Sequence, residues 1–178
     1  MKAKLASLAK TFSIAAAAIA VAWAIPFGMT LAGYRLYLNT TTSVPSGVYM
    51  VHVGEMPTER GGYVTFYPPE DAARLLYGRG WLAPGAPLTK QVAGLPGDIY
   101  CVNADGITVR GERLGPVYSH DRNGVALPRL DGCTAVPIAH ILPLGLSAPN
   151  SFDGRYFGAV SDRLVVGKAR LILTLPRG

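Results

Sequence analysis

Residues 12–32 form a run of 21 consecutive positions without a charged side chain. As a helix rising ~1.5 Å per residue, that run is long enough to cross a hydrocarbon core ~30 Å thick. No other stretch constrains the chain so tightly, because such a run either spans a bilayer or serves as an export signal. Lys2, Lys4 and Lys10 precede it, and the positive-inside bias then places the N-terminus in the cytoplasm and the remainder on the far side. A cleavable signal peptide is the competing reading. Its apolar part is usually shorter, ~7–15 residues, although Ala22-Trp23-Ala24 can mimic a small-residue cleavage site. The retained anchor fits the length better. Residues 1–35 are therefore expected to be a cytoplasmic N-terminus and single membrane span, and residues 36–178 an exported domain.

The exported part is expected to be built from short strands and loops. Of 178 residues, 21 are Gly and 14 are Pro, about a fifth of the chain against the ordinary ~12%. The net charge of +6 is concentrated at the membrane end, where Lys2, Lys4, Lys10 and Arg35 supply four of the charges. No Lys/Arg stripe with interleaved aromatics follows, so nucleic acid is not an expected partner. Cys101 and Cys133 suit an oxidising compartment as one disulfide, worth ~3–4 kcal/mol in the chain-entropy model; two separately buried thiols are the alternative. His52, His120 and His140 share no ligand spacing, so neither a metal site nor a cofactor is expected.

Strand formers recur in Tyr63-Val64-Thr65-Phe66-Tyr67, which ends at Pro68-Pro69. Residues 70–76 read as a short helix, with acidic side chains at its start, Ala72, Leu75 and Leu76 on one face, and Gly78 to close it. Residues 88–93 read as a strand that turns Leu88, Lys90 and Val92 to one side. Residues 99–102 and 107–109 pair through Asp105-Gly106, a hairpin signal. Residues 111–150 read as loop-rich with few strands, and residues 169–175 as a last strand.

Two further features carry chemistry. Thr40-Thr41-Thr42-Ser43-Val44-Pro45-Ser46-Gly47-Val48-Tyr49 sets a serine among turn formers about ten residues past the apolar run. A serine hydroxyl is a weak nucleophile until a base takes its proton. Histidine is the usual base, but none of the three histidines sits in a recognisable motif. Lysine serves only when neutral, which at the ordinary pKa of ~10.4 is about one molecule in 2,500 at pH 7. Lys90, between two apolar neighbours on a strand, is where burial can depress that value; a snorkelling strand lysine is the plainer alternative. Activity is then expected to rise with pH as Lys90 loses its proton. The backbone N–H of Ser43 and the hydroxyl of Thr41 are candidate oxyanion donors. Asp153 and Arg155 are candidates for a buried ion pair bracing the site.

Three segments stand in order: Ser43-Val44-Pro45-Ser46-Gly47-Val48-Tyr49, then Lys90-Gln91-Val92-Ala93-Gly94-Leu95-Pro96-Gly97-Asp98, then Ser151-Phe152-Asp153-Gly154-Arg155-Tyr156-Phe157-Gly158. Together, behind an N-terminal anchor, they resemble the type I signal peptidase family, and most closely its conjugal-transfer branch, the TraF peptidases. The resemblance implies a signal-peptidase-like antiparallel β domain behind one transmembrane helix. It implies Ser43 as acylated nucleophile, Lys90 as general base, and Asp153, Arg155 and Ser151 as supporting residues. It further implies a serine endopeptidase at the periplasmic face of a bacterial inner membrane, maturing a membrane-associated precursor such as a conjugative pilin. Val44 directly after the serine, and Pro45 two positions beyond it, depart from the housekeeping pattern and favour the transfer branch. A general signal peptidase for exported proteins and a noncatalytic scaffold of a secretion channel are the rival readings.

Overall fold

The computed structural model describes residues 2–176, with side chains from residue 13 onward. The chain divides into two compact units, residues 1–35 and residues 36–178. In the first unit, α1 (Lys2–Leu31) is a continuous helix with Pro26 inside it. Its stretch Ser13–Leu31 has a mean hydropathy of 2.0 and none of it is buried. That stretch is long and apolar enough to cross a membrane, a property that an N-terminal signal sequence shares.

The second unit is mainly antiparallel β, as the turn-rich composition and the resemblance led us to expect. The larger sheet contains β1 (Tyr34–Asn39), β2 (Gly47–Val53), β3 (Tyr63–Phe66), β4 (Leu88–Gly94), β9 (His140–Leu144), β10 (Val160–Ser161) and β11 (Val165–Thr174). Its spatial order is β1-β2-β11-β3-β4-β9-β10. The smaller sheet has the order β7-β6-β5-β8, from β5 (Ile99–Asn103), β6 (Gly106–Val109), β7 (Glu112–Gly115) and β8 (Gly132–Ala135). Every pairing from β2 onward is antiparallel. Two short α-helices, α2 (Glu70–Gly78) and α3 (Gly154–Phe157), and a 3-10 turn over Asp162–Leu164 complete the described part of the unit.

Alternation along the strands accounts for the core. In β2 the residues at every second position, Gly47, Tyr49 and Val51, are buried, and Tyr49 and Val51 pack with Val44, Val166 and Ala169. Val64, Phe66, Val92, Ile141 and Val160 make a second cluster between β3, β4, β9 and β10. α2 buries Ala72 and Leu76 against Phe152 and Tyr156. Cys101 and Cys133 face each other across β5 and β8 and are joined as a disulfide.

The expectation of few strands between residues 111 and 150 needs correction, since β7, β8 and β9 all lie there. β8 is exposed along its whole length, so it carries no hydrophobic period to read. β9 contains Pro143, and an internal proline ordinarily argues against a strand. Here β10 pairs only with His140 and Ile141, so Pro143 has a partner strand, β4, on one side alone. The last strand also begins earlier than expected, at Val165 rather than Ala169.

Candidate active site

Ser43 sits in the loop between β1 and β2. Val44, 1% exposed, anchors that loop in the core. The Tyr49 hydroxyl reaches back from β2 and donates to the carbonyl of Pro45 at 2.8 Å. Asn39, the last residue of β1, ties the loop from the other side. Its Nδ2 donates to the carbonyls of Thr41 at 3.0 Å, Val44 at 3.4 Å and Pro45 at 3.3 Å. One amide thus gathers three backbone carbonyls of the loop around the serine. The Ser43 carbonyl accepts from the Ser147 N–H at 3.3 Å.

Lys90 occupies the middle of β4, opposite Val64 of β3. It is 4% exposed, in a strand whose neighbours Leu88 and Val92 are apolar. Its Nζ lies 2.7 Å from Ser43 Oγ and 2.8 Å from Ser151 Oγ. Burial is the largest influence on this amine and lowers its pKa from the ordinary 10.5 to about 8. The Asp153 charge opposes that shift and the Arg155 charge adds to it. An amine near 8 is neutral in about one molecule in ten at pH 7, roughly two hundred times more often than a free lysine. When neutral it has one lone pair and two protons. It can then accept the Ser43 proton while donating to Ser151, which fixes the direction of the lone pair.

The floor is a buried polar network. Asp153 is fully buried and Arg155 is 1% exposed, with Arg155 Nε 2.9 Å from Asp153 Oδ1. Asp153 also accepts from the backbone N–H of Arg155 at 3.1 Å, capping α3, and from that of Gly145 at 2.7 Å. Arg155 Nη1 donates to the carbonyls of Pro116 and Pro149 at 2.9 and 3.0 Å. Such a pair is tolerated inside a protein only when its remaining donors and acceptors are also met. Gly145, which follows β9, is the contact point between floor and serine. A side chain there would overlap Ser151 Oγ and would come within 2.7 Å of Ser43 Cβ. Glycine at 145 is what lets the floor close against both serines.

Thr41 Oγ1 is 3.1 Å from Ser43 Oγ and 2.8 Å from Asn39 Oδ1. A carboxamide oxygen only accepts, so the threonine proton points to Asn39 in this arrangement. As an oxyanion donor, Thr41 would have to rotate its hydroxyl away from Asn39 toward the substrate. The three histidines lie apart from the serine's hydrogen bonds. His52 pairs with Glu55, His120 with Ser119 and His140 with the carbonyl of Ile138. Among the described residues no cluster of three His, Cys, Asp or Glu side chains is arranged to hold a metal ion.

Ser43, Lys90, Ser151, Asp153, Arg155 and Thr41 thus converge on one place, whereas the cysteine pair lies apart in the small sheet. Asn39 and Gly145 were not singled out from the sequence. Asn39 carried a weak signal, an Asn closing a strand just before a threonine run. Gly145 carried none, since only the approach of Ser43 and Ser151 makes its missing side chain matter.

Residues 5–174 match the family described as signal peptidase, peptidase S26. The chain belongs to that family. Among its relatives, the plasmid transfer protein TraF of Escherichia coli is 33% identical over 154 residues, covering 81% of this chain and 85% of the relative. The conjugal transfer protein TraF of Agrobacterium fabrum strain C58 is 35% identical over 153 residues, 81% of this chain and 84% of the relative. A probable conjugal transfer protein TraF of Sinorhizobium fredii is 32% identical and covers 97% of this chain and 90% of its own. The type I signal peptidase-like TraF family expected from the three segments is therefore the family of this chain. A solved signal peptidase I from Enterococcus faecalis V583 overlays on 65% of this chain and 98% of its own, with 22% identity and a TM-score of 0.38. That overlay is too loose to bear on function.

Proposed function

We propose that this chain is a membrane-anchored serine endopeptidase that uses a Ser43–Lys90 dyad. The observation that carries the reading is the buried Lys90 amine, 2.7 Å from Ser43 Oγ, with its pKa lowered to about 8. Family membership supports the peptidase class, and the names of the TraF relatives support a place in conjugal transfer. The substrate we propose is a membrane-associated precursor of the transfer apparatus, pilin-like in kind, cut at the periplasmic face of a bacterial inner membrane. The apolar helix, with lysines before it, supports that location by confining the site to the bilayer surface where such a precursor emerges.

The chemistry runs through this chain's own residues. Neutral Lys90 Nζ accepts the Ser43 proton as Oγ attacks the carbonyl carbon of the scissile bond. The resulting oxyanion takes donors from the Ser43 N–H and from Thr41 once its hydroxyl rotates. Protonated Lys90 then gives its proton to the departing amine, which breaks the peptide bond and leaves an ester on Ser43. A second nucleophile, with Lys90 again as base, releases the acyl group and restores the hydroxyl. Ser151 keeps the amine aimed throughout, and the Asp153–Arg155 pair holds the floor on which it stands.

The test incubates the full chain in lipid with candidate pilin precursors and follows product masses for the unaltered protein, Ser43→Ala and Lys90→Ala. Cleavage by the unaltered protein alone is the expected result. Normal precursor processing in cells carrying Ser43→Ala would overturn the reading in favour of a noncatalytic scaffold. Equal cleavage of an unrelated secretory precursor would replace transfer-specific maturation by general signal peptidase activity.

A further inference from the structure

The cavity beside Ser43 is large and mainly apolar. It encloses about 540 Å³, within the range of ~300–1,000 Å³ that holds whole small-molecule ligands. Thr41, Ser43, Lys90 and Ser151 line one side of it. The other side is formed by Leu76, Trp81, Leu82, Leu127, Phe152 and Tyr156. Phe152 and Tyr156 stack with ring centres 5.0 Å apart, and Trp81 meets Phe152 edge-on at 5.8 Å.

Apart from Phe152 and Tyr156, that wall comes from two segments remote in sequence, residues 76–82 and 118–127, and Arg79 fastens them together. Arg79 Nη1 lies 2.7 Å from Asp121 Oδ2, and Nη2 donates to the Ala126 carbonyl at 2.9 Å. The same guanidinium sits 5.0 Å from the centre of the Trp81 ring. Asp121 in turn accepts from the N–H groups of Asn123 and Val125, both at 2.9 Å, and so shapes the loop it holds. Asp121 is the one carboxylate among the lining residues, and it is committed to Arg79. The exposed Arg122 lines the cavity as well, so the apolar surface offered to a ligand is that of Leu76, Trp81, Leu82, Leu127, Phe152 and Tyr156.

We propose that this cavity is a subsite for a bulky apolar side chain, of the leucine or phenylalanine class, on the precursor segment lying across Ser43. The Arg79–Asp121 pin sets the depth of that subsite. The proposal rests on the peptidase reading for its occupant. The serine and the apolar wall line one continuous cavity, so a peptide presenting a carbonyl to Ser43 must lay a neighbouring side chain along that wall. Filling it with an apolar group removes water from aromatic and leucine surface, whereas an alanine methyl leaves most of the space unfilled. One missing methylene in such a pocket is worth ~10–200-fold in discrimination.

The test measures binding apart from catalysis. The full chain carrying Ser43→Ala, in phospholipid nanodiscs, is titrated calorimetrically with short acetylated peptides. These have Ala on both sides of the central bond and Phe, Leu or Ala at successive positions before it. The expected result is binding at least about tenfold tighter for Phe or Leu than for Ala at one position. A second change, Leu127→Trp, should fill the subsite and reduce that preference to less than about twofold. If Leu127→Trp does not fold, Arg79→Gln serves instead and should weaken the Phe peptide by a larger factor than the Ala peptide. Equal affinity across the series, or a preference unmoved by these substitutions, overturns the subsite. Cleavage of the same peptides by the chain with Ser43 intact is measured in parallel. Size-selective binding without cleavage would remove the peptidase reading and leave the subsite standing.

Discussion

Two buried cations lie on the two sides of this site, and the protein treats them in opposite ways. On the floor, Arg155 meets the Asp153 carboxylate at 2.9 Å and donates to the Pro116 and Pro149 carbonyls besides. In the β4 wall, Lys90 meets, among the described residues, only the hydroxyls of Ser43 and Ser151. Arginine stays charged in essentially any protein environment, so its burial demands a carboxylate and gives a fixed brace. Lysine can surrender its proton, so withholding a carboxylate gives a base instead. On the proposed function, the difference between a structural Arg155 and a reactive Lys90 is one of hydrogen-bond partners, since both side chains are almost wholly buried.

The comparison breaks most visibly at Lys90. Lys90→Met keeps the apolar stem and removes the base, so cleavage of a precursor should fall by about a hundred- to ten-thousandfold, the range typical of losing one general base. The same substitution should raise stability at neutral pH by on the order of 1–3 kcal/mol, because the cost of burying a charged amine disappears. Rate measurements and denaturant titration on one preparation check both parts. A loss of activity accompanied by a loss of stability would make Lys90 a structural residue like Arg155.

Asp153→Asn attacks the other cation. Leaving Arg155 without its carboxylate should cost about 3–5 kcal/mol of folding stability, read as a lowered denaturation midpoint. In whatever fraction remains folded, the Lys90 pKa should move further down, because the Asp153 charge now holds it up. A nearly unchanged midpoint would mean that the floor pair is not a brace. Ser151→Ala sharpens the contrast with a smaller effect. Losing one hydrogen bond that aims the amine should lower kcat about tenfold with little change in KM, as for an interaction worth ~1–1.5 kcal/mol. An effect confined to KM would assign Ser151 to substrate binding.

Burial of Lys90 also gives stability a pH dependence of known sign. Between about 8 in the folded chain and 10.5 in the unfolded one, the unfolded chain binds the extra proton. Stability attributable to this group therefore rises with pH across that window, and its cost is present in full below the lower value. Thermal denaturation at pH values on either side of the window, compared with Lys90→Met, isolates the contribution. A wild-type curve parallel to that of the variant would contradict it.

How much of this could be read from the residues differs between the two cations as well. Lys90 was readable because an alternating strand places it between Leu88 and Val92, and because its segment resembles a known family's. The helix 70–76 and the pairing of residues 99–102 with 107–109 were readable from local pattern for the same reason. Asp153 and Arg155 were readable as a pair, but the groups that complete their network were not. Gly145, Pro116 and Pro149 reach Arg155 or Asp153 only through the folding back of separate segments. β8 and β9 escaped notice because one is exposed throughout and the other contains Pro143. The apolar wall of the cavity was also hidden, since Leu76, Leu127 and Phe152 are brought together by contacts between distant segments.

The most direct measurement is the pH profile of kcat/KM for a cleaved precursor, which reports groups that titrate in the free enzyme. The rate should climb about tenfold per pH unit at low pH and level off above a midpoint near 8, where the Lys90 amine becomes neutral. A profile flat through that region, or one with the same midpoint in Lys90→Met, would show that the proton taken from Ser43 goes elsewhere.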